Sequence, residues 1–497
     1  VYAQDKVAYD EDKGTTYTIQ RTRTRSSAIG ILARLNYNYA SKYYVSGSFR
    51  RDGYSAFAPG HKWGNFFGAS AAWVISNEGF MKNADWVNFL KLRFSWGQNG
   101  SRSVSPYITA ATVDKVIGNS GAQTSAWLGG KSAMGITATN LANSTLTWAT
   151  VTKTDIGVDF SFLDSRLNGS IDGYWGRTTN MLMPRSVPYI TGFSDTYDNV
   201  GLVTNNGIEV VLNSVNFTGN GRETFRWETS LVFDHNSNTI KELYGPDASG
   251  VEADDVANYL VTPEANYALM VGHPIGAAYD YNKIGIFNSQ DEINNYKNSA
   301  GEVIMPNAKP GDLKFEDVND DGKIDDKDRK YLGSYDPLFT VNLGNTLSWK
   351  GFSLYFNFRW AQGNGDHFIG LDPASHGTTM TSGSQLANVT PWTEANHNQT
   401  YPRYGYSNTY EYLFWNSRTY LKLKDLSFSY TLPEKAAKCI GMSNARIYVA
   451  GTDLFTISGW SGIDPETGGT IARGASSSRG VSDGTYRTFT VGVNLTF

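Results

Sequence analysis

The segment Tyr486–Phe497 reads YRTFTVGVNLTF. Phe489, Val491, Val493, Leu495 and Phe497 fall on one side of an extended chain, and Thr488, Thr490, Gly492, Asn494 and Thr496 fall on the other. Strict alternation over this length is a β-strand with one apolar face. In a soluble sandwich that face packs into a core, and in a membrane barrel it meets lipid. The residues upstream have to separate the two.

Composition narrows the choice. The chain has 497 residues, with 30 Tyr, 25 Phe, 13 Trp and 51 Gly, a β-rich and turn-rich mixture. A formal net charge of -4 gives no bulk electrostatic case for nucleic acid. One cysteine, Cys439, excludes an intrachain disulfide framework. No apolar run reaches the roughly 18 residues of a transmembrane helix. A membrane barrel stays open, because its alternating strands never look strongly hydrophobic. The opening VYAQDKVAYD has neither a basic start nor an apolar core of a signal peptide, so a processed product or a fragment is expected.

Working back from the terminal strand, the same period recurs. Phe352, Leu354, Phe356, Phe358 and Trp360 alternate with Ser353, Tyr355, Asn357 and Arg359, and Phe339–Trp349 lies just before them as the first arm of a hairpin. Further strands are expected at 29–38, 42–51, 64–75, 89–97, 152–162, 166–176, 207–213, 224–234, 420–432 and 445–454. Near Asp425 the apolar phase shifts from Leu421 and Leu423 to Leu426, Phe428 and Tyr430, which predicts a bulge. That makes thirteen strands, or fourteen with an alternating stretch at Tyr17–Arg25.

The connections decide the architecture. Short ones lie near 39–42, 76–88, 163–165, 215–223, 350–351 and 433–443, and they alternate with long ones near 52–63, 98–150, 177–206, 235–338, 361–419 and 455–485. Up-and-down strands with short turns at one end and long loops at the other describe an outer-membrane barrel. A Greek-key sandwich or a propeller gives no reason for such parity. Tyr43, Tyr44, Trp86, Phe89, Phe160, Phe162, Trp349 and Phe352 cluster at the short-turn end as an interfacial girdle. Arg93, Lys153, Asp155, Asp159, Arg226, Glu228 and Arg359 lie on the polar faces, which suits a wet lumen and not a filled core.

Inside the longest loop, 235–338, lies FEDVNDDGKIDDKDRKYLG. Asp317, Asn319 and Asp321, then Gly322, Lys323, Asp325 and Asp328 follow the spacing of a calcium loop at 317–328. Hard oxygen donors on a tight turn are what Ca²⁺ requires, with Lys323 offering its carbonyl and Asp328 standing where Glu is usual. The bland reading is a metal-free turn rich in Asp and Asn.

Signals for catalysis are weak. The six His form no HExxH pair, and no nucleophile elbow, P-loop or dinucleotide motif occurs. His367 and His376 share a loop with Asp366 and Asp372 at spacings that match no metal pattern. Asp464–Pro465–Glu466 reads as a rigid turn before it reads as a carboxylate pair. No enzyme is expected. Trp392, Tyr404 and Tyr406, among other aromatics of one long loop, could stack on sugars or grip peptides, or could simply fold the loop.

Several segments carry a family resemblance. AIGILARLNYNYASKYYVSGSFRRDGYSAFAPGHKWGNFFGASAAWVISNEGF, LKLRFSWGQNGS, GDLKFEDVNDDGKIDDKDRKYLGSYDPLFTVNLGNTLSWKGFSLYFNFRWAQG, YLKLKDLSFSYTLP and ARIYVAGTDLFTISGWSGIDPE are similar to the barrel of SusC-like TonB-dependent outer-membrane transporters. The resemblance covers nearly the whole chain. It implies the C-terminal strands of an all-β antiparallel transmembrane barrel of about 22 strands. It also implies an N-terminal plug and a TonB contact, neither of which is recognisable in these residues. A SusD-like surface lipoprotein over the long loops is a further implication, as is a dimer of such pairs. The function expected is import of glycans or peptides across the bacterial outer membrane, with the barrel facing lipid and the C-terminus periplasmic. The alternatives are a self-contained fourteen-stranded passive channel and a secreted carbohydrate-binding β-protein.

Overall fold

Strand backbone groups must be paired, and in this computed structural model each main strand finds its partner beside it in sequence. The structure describes the chain apart from residues 1, 11–14, 23–24, 103, 116–124, 129–130, 135, 194, 220–223, 244–266, 366, 372–389, 398, 440, 461–463 and 468–484. Thirteen strands form one antiparallel sheet in strict sequence order. They are β1 Ala28–Tyr39, β2 Tyr43–Tyr54, β3 Trp63–Val74, β4 Val87–Ser101, β5 Ala149–Phe162, β6 Leu167–Ser186 and β7 Asp195–Phe217. The rest are β8 Arg226–Glu242, β9 Phe339–Trp349, β10 Phe352–Gln362, β11 Tyr420–Thr431, β12 Asn444–Ser458 and β13 Thr488–Thr496. Among the described residues β1 and β13 are the two edges of this sheet, so the thirteen strands do not close on themselves as the passive-channel alternative requires.

Turn chemistry places the short connections at one end. Lys350 and Gly351 both adopt positive φ (49° and 84°), the backbone of a two-residue hairpin turn whose twist matches the flanking strands. Ala40 and Ser41 do the same at 54° each. Glu78, in the 75–86 connection, clamps neighbouring turns by accepting from Tyr43 Oη at 2.6 Å, Lys42 Nζ at 2.9 Å and Trp73 Nε1 at 3.1 Å.

Two expectations need correction. Thr15–Thr22 is a strand, but it pairs with Tyr2–Asp10 in a separate two-stranded sheet, so it is not a fourteenth strand of the large one. The connection expected over 177–206 is mostly strand, because β6 and β7 run on as a paired ribbon to Ser186 and from Asp195. Alternation fades there because the ribbon packs on neighbouring connections. Its apolar side chains Met181, Met183 and Val203 pack on Ile240, Leu243, Leu269 and Ile275. The 20 residues of β6 reach roughly 65 Å, far beyond the roughly 9–11 residues that cross a bilayer. The long-loop end therefore stands well clear of the apolar band.

The sheet has two chemically different faces. Ile31, Leu35, Val45, Phe94, Ile156, Ile171, Ile208, Leu343, Phe352, Phe428, Val449 and Val491 are all exposed on one face. Of the girdle aromatics, Tyr43, Tyr44, Trp86, Phe89, Trp349 and Phe352 are exposed too, whereas Phe160 and Phe162 are half-buried and stack on one another. The opposite face carries the charges. The bulge expected near Asp425 is present, with register slips on both sides of Lys424.

Candidate functional site

The charged face is a paired polar wall. Arg93 of β4 donates to Asp159 of β5 at 2.9 and 2.8 Å and to Asp172 of β6 at 2.8 Å. Gly157 lies under this triad, and a Cβ there would stand 2.1 Å from Asp172 Oδ1. Lys153 Nζ sits 4.2 Å from the centre of the Tyr174 ring, whose hydroxyl donates to Asn236 at 2.8 Å. Asp172, Glu209 and Asp234 are cross-strand partners in one row over β6, β7 and β8. Like charges set opposite one another are costly unless water or cations screen them, which a wet lumen supplies.

At the long-loop end this wall carries an ionic anchor. Lys422 of β11 is only 1 % exposed. Its ammonium donates to both carboxylate oxygens of Asp464 and to Glu466 Oε2, each at 2.8 Å. Lys424 reaches Glu466 at 3.1 Å and Asp453 at 3.0 Å. Arg359 lies 3.5 Å from Glu466, and Arg418 donates to the Pro465 and Glu466 carbonyls at 3.0 Å each. The bulge is what sets Lys424 and Asp425 side by side on the inner face. Burial works against the charge of Asp464, yet the bonds from Lys422, Thr485 and the Glu466 N–H outweigh it and hold its carboxyl below the usual range. Asp464–Pro465–Glu466, read from sequence as a rigid turn, is thus the point where the connection after β12 is tied to the inner wall.

Above the wall, two connections fold together. The stretch after β8 and the stretch after β10 share one apolar core. Tyr281, Phe287, Ile293, Leu313 and Phe315 come from the first, and Trp392, Tyr406, Tyr412 and Phe414 from the second. Short sheets frame it, among them Ala277–Tyr281 with Arg329–Ser334 and Lys283–Ile286 with Leu313–Phe315. The helix Gln290–Asn295 is capped by Ser289, which accepts from the Glu292 N–H at 3.2 Å. Polar pins join the two halves. Asp280, fully buried, accepts from Leu413 N–H and Trp415 Nε1, each at 3.0 Å. Arg403 Nε donates to Asp312 at 2.8 Å, and Trp392 Nε1 donates to Asn288 at 3.1 Å. A segment that sequence periodicity presents as a loop of about a hundred residues is therefore a folded unit, built from strands of two to six residues that carry no measurable period.

The aromatics singled out from sequence separate here. Trp392 and Tyr406 are 5 % exposed and spend their rings on this core, whereas Tyr404 is 66 % exposed. Trp392 also stacks on His397, with centroids 5.6 Å apart. His367 belongs to the backbone bridge with Ser334, while His376, Asp366 and Asp372 lie outside the described residues.

The calcium-type loop hangs from the same unit. Gly322 takes φ +83° at the sharpest point, and its N–H donates to Asp317 Oδ2 at 2.9 Å. Asp321 N–H donates to Asp317 and to Asn319, each at 3.2 Å. Asp328 is fully buried and closes the loop, accepting from Val318 N–H at 2.8 Å and Asp325 N–H at 2.7 Å. The Lys323 ammonium lies 2.5 Å from Asp325 and 3.6 Å from Asp321. The donors suit a hard cation in kind. In this arrangement Lys323 neutralises two of them, and among the described residues no three acidic or imidazole groups converge as metal ligands.

The comparisons with known proteins follow the same lines. Residues 2–359 match the family described as TonB dependent receptor-like, beta-barrel. TonB-dependent receptor P3 of Formosa agariphila is 30 % identical over the whole of this chain, and TonB-dependent receptor SusC of Bacteroides thetaiotaomicron is 26 % identical over 89 % of it. The chain spans 48 % and 42 % of those two proteins, about half the length of the relatives it matches. Among solved structures, the RagAB peptide transporter superposes on 97 % of the chain and 49 % of its own, with a TM-score of 0.74 at 20 % identity, a likeness of fold. TonB-dependent receptors are outer-membrane β-barrel proteins, a receptor and transporter family. The alternating strands, the loop parity, the two-faced sheet and these matches agree: the chain belongs to the TonB-dependent receptor-like β-barrel family.

Proposed function

We propose that this chain forms the C-terminal part of the barrel of an outer-membrane importer for oligosaccharides or peptides. The observation that carries the reading is the pairing of a charged inner wall with a folded unit at the long-loop end. The apolar face meets lipid, the charged face lines a wet passage, and the folded unit stands over its mouth. Capture is shared with a SusD-like lipoprotein seated on the long loops. Energy arrives through TonB acting on a region N-terminal to these residues. In this reading the turns 39–42 and 350–351, and the C-terminus with them, are periplasmic. No covalent chemistry is required, because the work is binding and gating.

The calcium-type loop fits this picture as a stiffener. Ca²⁺ takes the place of the Lys323 ammonium against Asp321 and Asp325, with Asp317, Asn319, the Lys323 carbonyl and Asp328 as its further ligands.

The test is uptake by cells that express the full-length receptor, with labelled oligosaccharide and peptide pools offered separately. Expected is entry of one class, abolished by a proton uncoupler and by deletion of 390–415. Entry that persists in uncoupled cells would overturn the energised reading in favour of a passive pore.

A further inference from the structure

Some arginines of the inner face are ion-paired, although Arg34 there bonds only the Asn36 amide among the described residues. On the inner face Arg50 is bonded to Asp52 at 2.9 and 2.6 Å, and Arg93 to Asp159 and Asp172. On the apolar face Arg51 of β2 and Arg177 of β6 are exposed, and neither has an ion pair among the described residues. Each accompanies an exposed tryptophan. The Arg51 guanidinium lies 5.2 Å from the centre of the Trp63 ring, and Trp175 stands two residues from Arg177 on the same face.

Register places both arginines toward the long-loop end of the sheet. Arg177 pairs with Thr152, which pairs with Gln98, and the adjoining Gly97 is opposite Gly68. Gln98 therefore lies level with Phe67, the partner of Phe49, and Arg51 is two residues further toward the long loops. The two arginines are four strands apart, roughly 19 Å, and about 7 Å apart along the strand direction. Their direct cross-strand partners on this face are Ile31 and Asn65 for Arg51 and Thr152 and Thr204 for Arg177, none of which carries negative charge. Toward the short-turn end the face becomes apolar through Leu35, Phe67, Ile156 and Ile171.

We infer that Arg51 with Trp63, and Arg177 with Trp175, bind the phosphate groups of anionic lipid in the leaflet at the long-loop end. At Arg177 the order of groups along the strand is that of a phospholipid, with a guanidinium fork for phosphate, the Trp175 indole at the interface and apolar side chains for acyl chains, whereas at Arg51 the Trp63 indole, opposite Gly53, lies on the long-loop side and flanks the same headgroup layer. An unpaired arginine on a lipid-facing surface is costly unless an anion meets it, and the headgroup layer supplies one. The inference rests on the membrane-spanning reading of the sheet.

The experiment is native mass spectrometry of the full-length receptor in detergent, with bisphosphorylated lipid A or its dephosphorylated form added as probe. The wild type should retain the phosphorylated lipid. The double variant Arg51→Gln/Arg177→Gln, checked for retained circular dichroism, should lose about tenfold in retention. Lys350→Gln serves as the control, since Lys350 sits 5.0 Å from the Trp349 ring at the opposite end, and it should change nothing. Equal retention of the dephosphorylated lipid, an unchanged double variant, or an equal loss in Lys350→Gln would each overturn the assignment. Flotation with lipid vesicles separates the two levels: a wild type that does not float removes the membrane-spanning reading, and one that floats without preferring phosphate removes the headgroup site alone.

Discussion

Lys422→Met tests the ionic anchor directly. Methionine keeps the length and the apolar stem and removes the charge. Glu466 would still be held by Lys424 and Arg359, so the group left stranded is Asp464, whose side chain is 4 % exposed. Breaking a buried ion pair from one side costs about 3–5 kcal/mol. Asp464 keeps the Thr485 hydroxyl and the Glu466 N–H, which argues for the lower end, about 3 kcal/mol. At 1.4 kcal/mol per decade that is a roughly hundredfold rise in the opening constant of the tethered segment. Hydrogen exchange of the 458–467 backbone reads it, because local opening sets the protection of the Glu466 N–H. Exchange about two decades faster is expected, with β9 and β10 unchanged. Adding Asp464→Asn should slow exchange again, since it removes the stranded charge. Exchange within threefold of the parent in Lys422→Met would refute the anchor. A double variant that exchanges fastest of all would show that packing, and not charge, was lost.

Four further outcomes follow from the same geometry. Asp280→Ala strands the Leu413, Trp415 and Tyr281 donors and should destabilise the folded unit by about 3 kcal/mol, read as lost exchange protection at 413–417 with the barrel strands unaffected. Calorimetry should detect Ca²⁺ binding that Asp317→Ala with Asp321→Ala abolishes, and no heat at millimolar calcium would remove the site. Tyr43, Lys42 and Trp73 hold the Glu78 carboxyl down to about 2, below its unfolded value of about 4.3. Its contribution to stability is therefore complete above about pH 4.3 and lost as pH falls through about 2. A Glu78 midpoint at or above 4 by carboxyl NMR would contradict the clamp. Gly157→Ala should lower thermal stability by about 1–3 kcal/mol through crowding of Asp172 and Arg93. Gly173→Ala, where a Cβ meets nothing nearer than 3.5 Å, should crowd nothing comparable.

Much of the barrel was legible because lipid and water on opposite sides of one strand impose a period of two. β4, β5, β10 and β13 each write that period into four or five consecutive pairs, and the Lys350–Gly351 turn fixes their sense of return. The bulge near Asp425 was readable for the same reason, as a break in phase. Where the strands pack on neighbouring connections the period disappears, and the ribbon of β6 and β7 beyond Arg177 and Val203 could be found only from its pairing.

The long connections obey different physics. Their core is assembled from residues far apart in sequence, such as Phe315 against Tyr412, or Asp280 against Trp415, and no local pattern marks such partners. Sequence therefore named Trp392, Tyr404 and Tyr406 together, and the tertiary structure divided them into two buried rings and one exposed. It likewise turned Asp464–Pro465–Glu466 from a rigid turn into an anchor, because Lys422 lies more than forty residues away. The sequence alone determined the sheet, its two faces and the end that carries the loops. Only the folded chain decided which distant charges meet inside it, since a buried charge needs a partner and that partner is chosen by proximity in space.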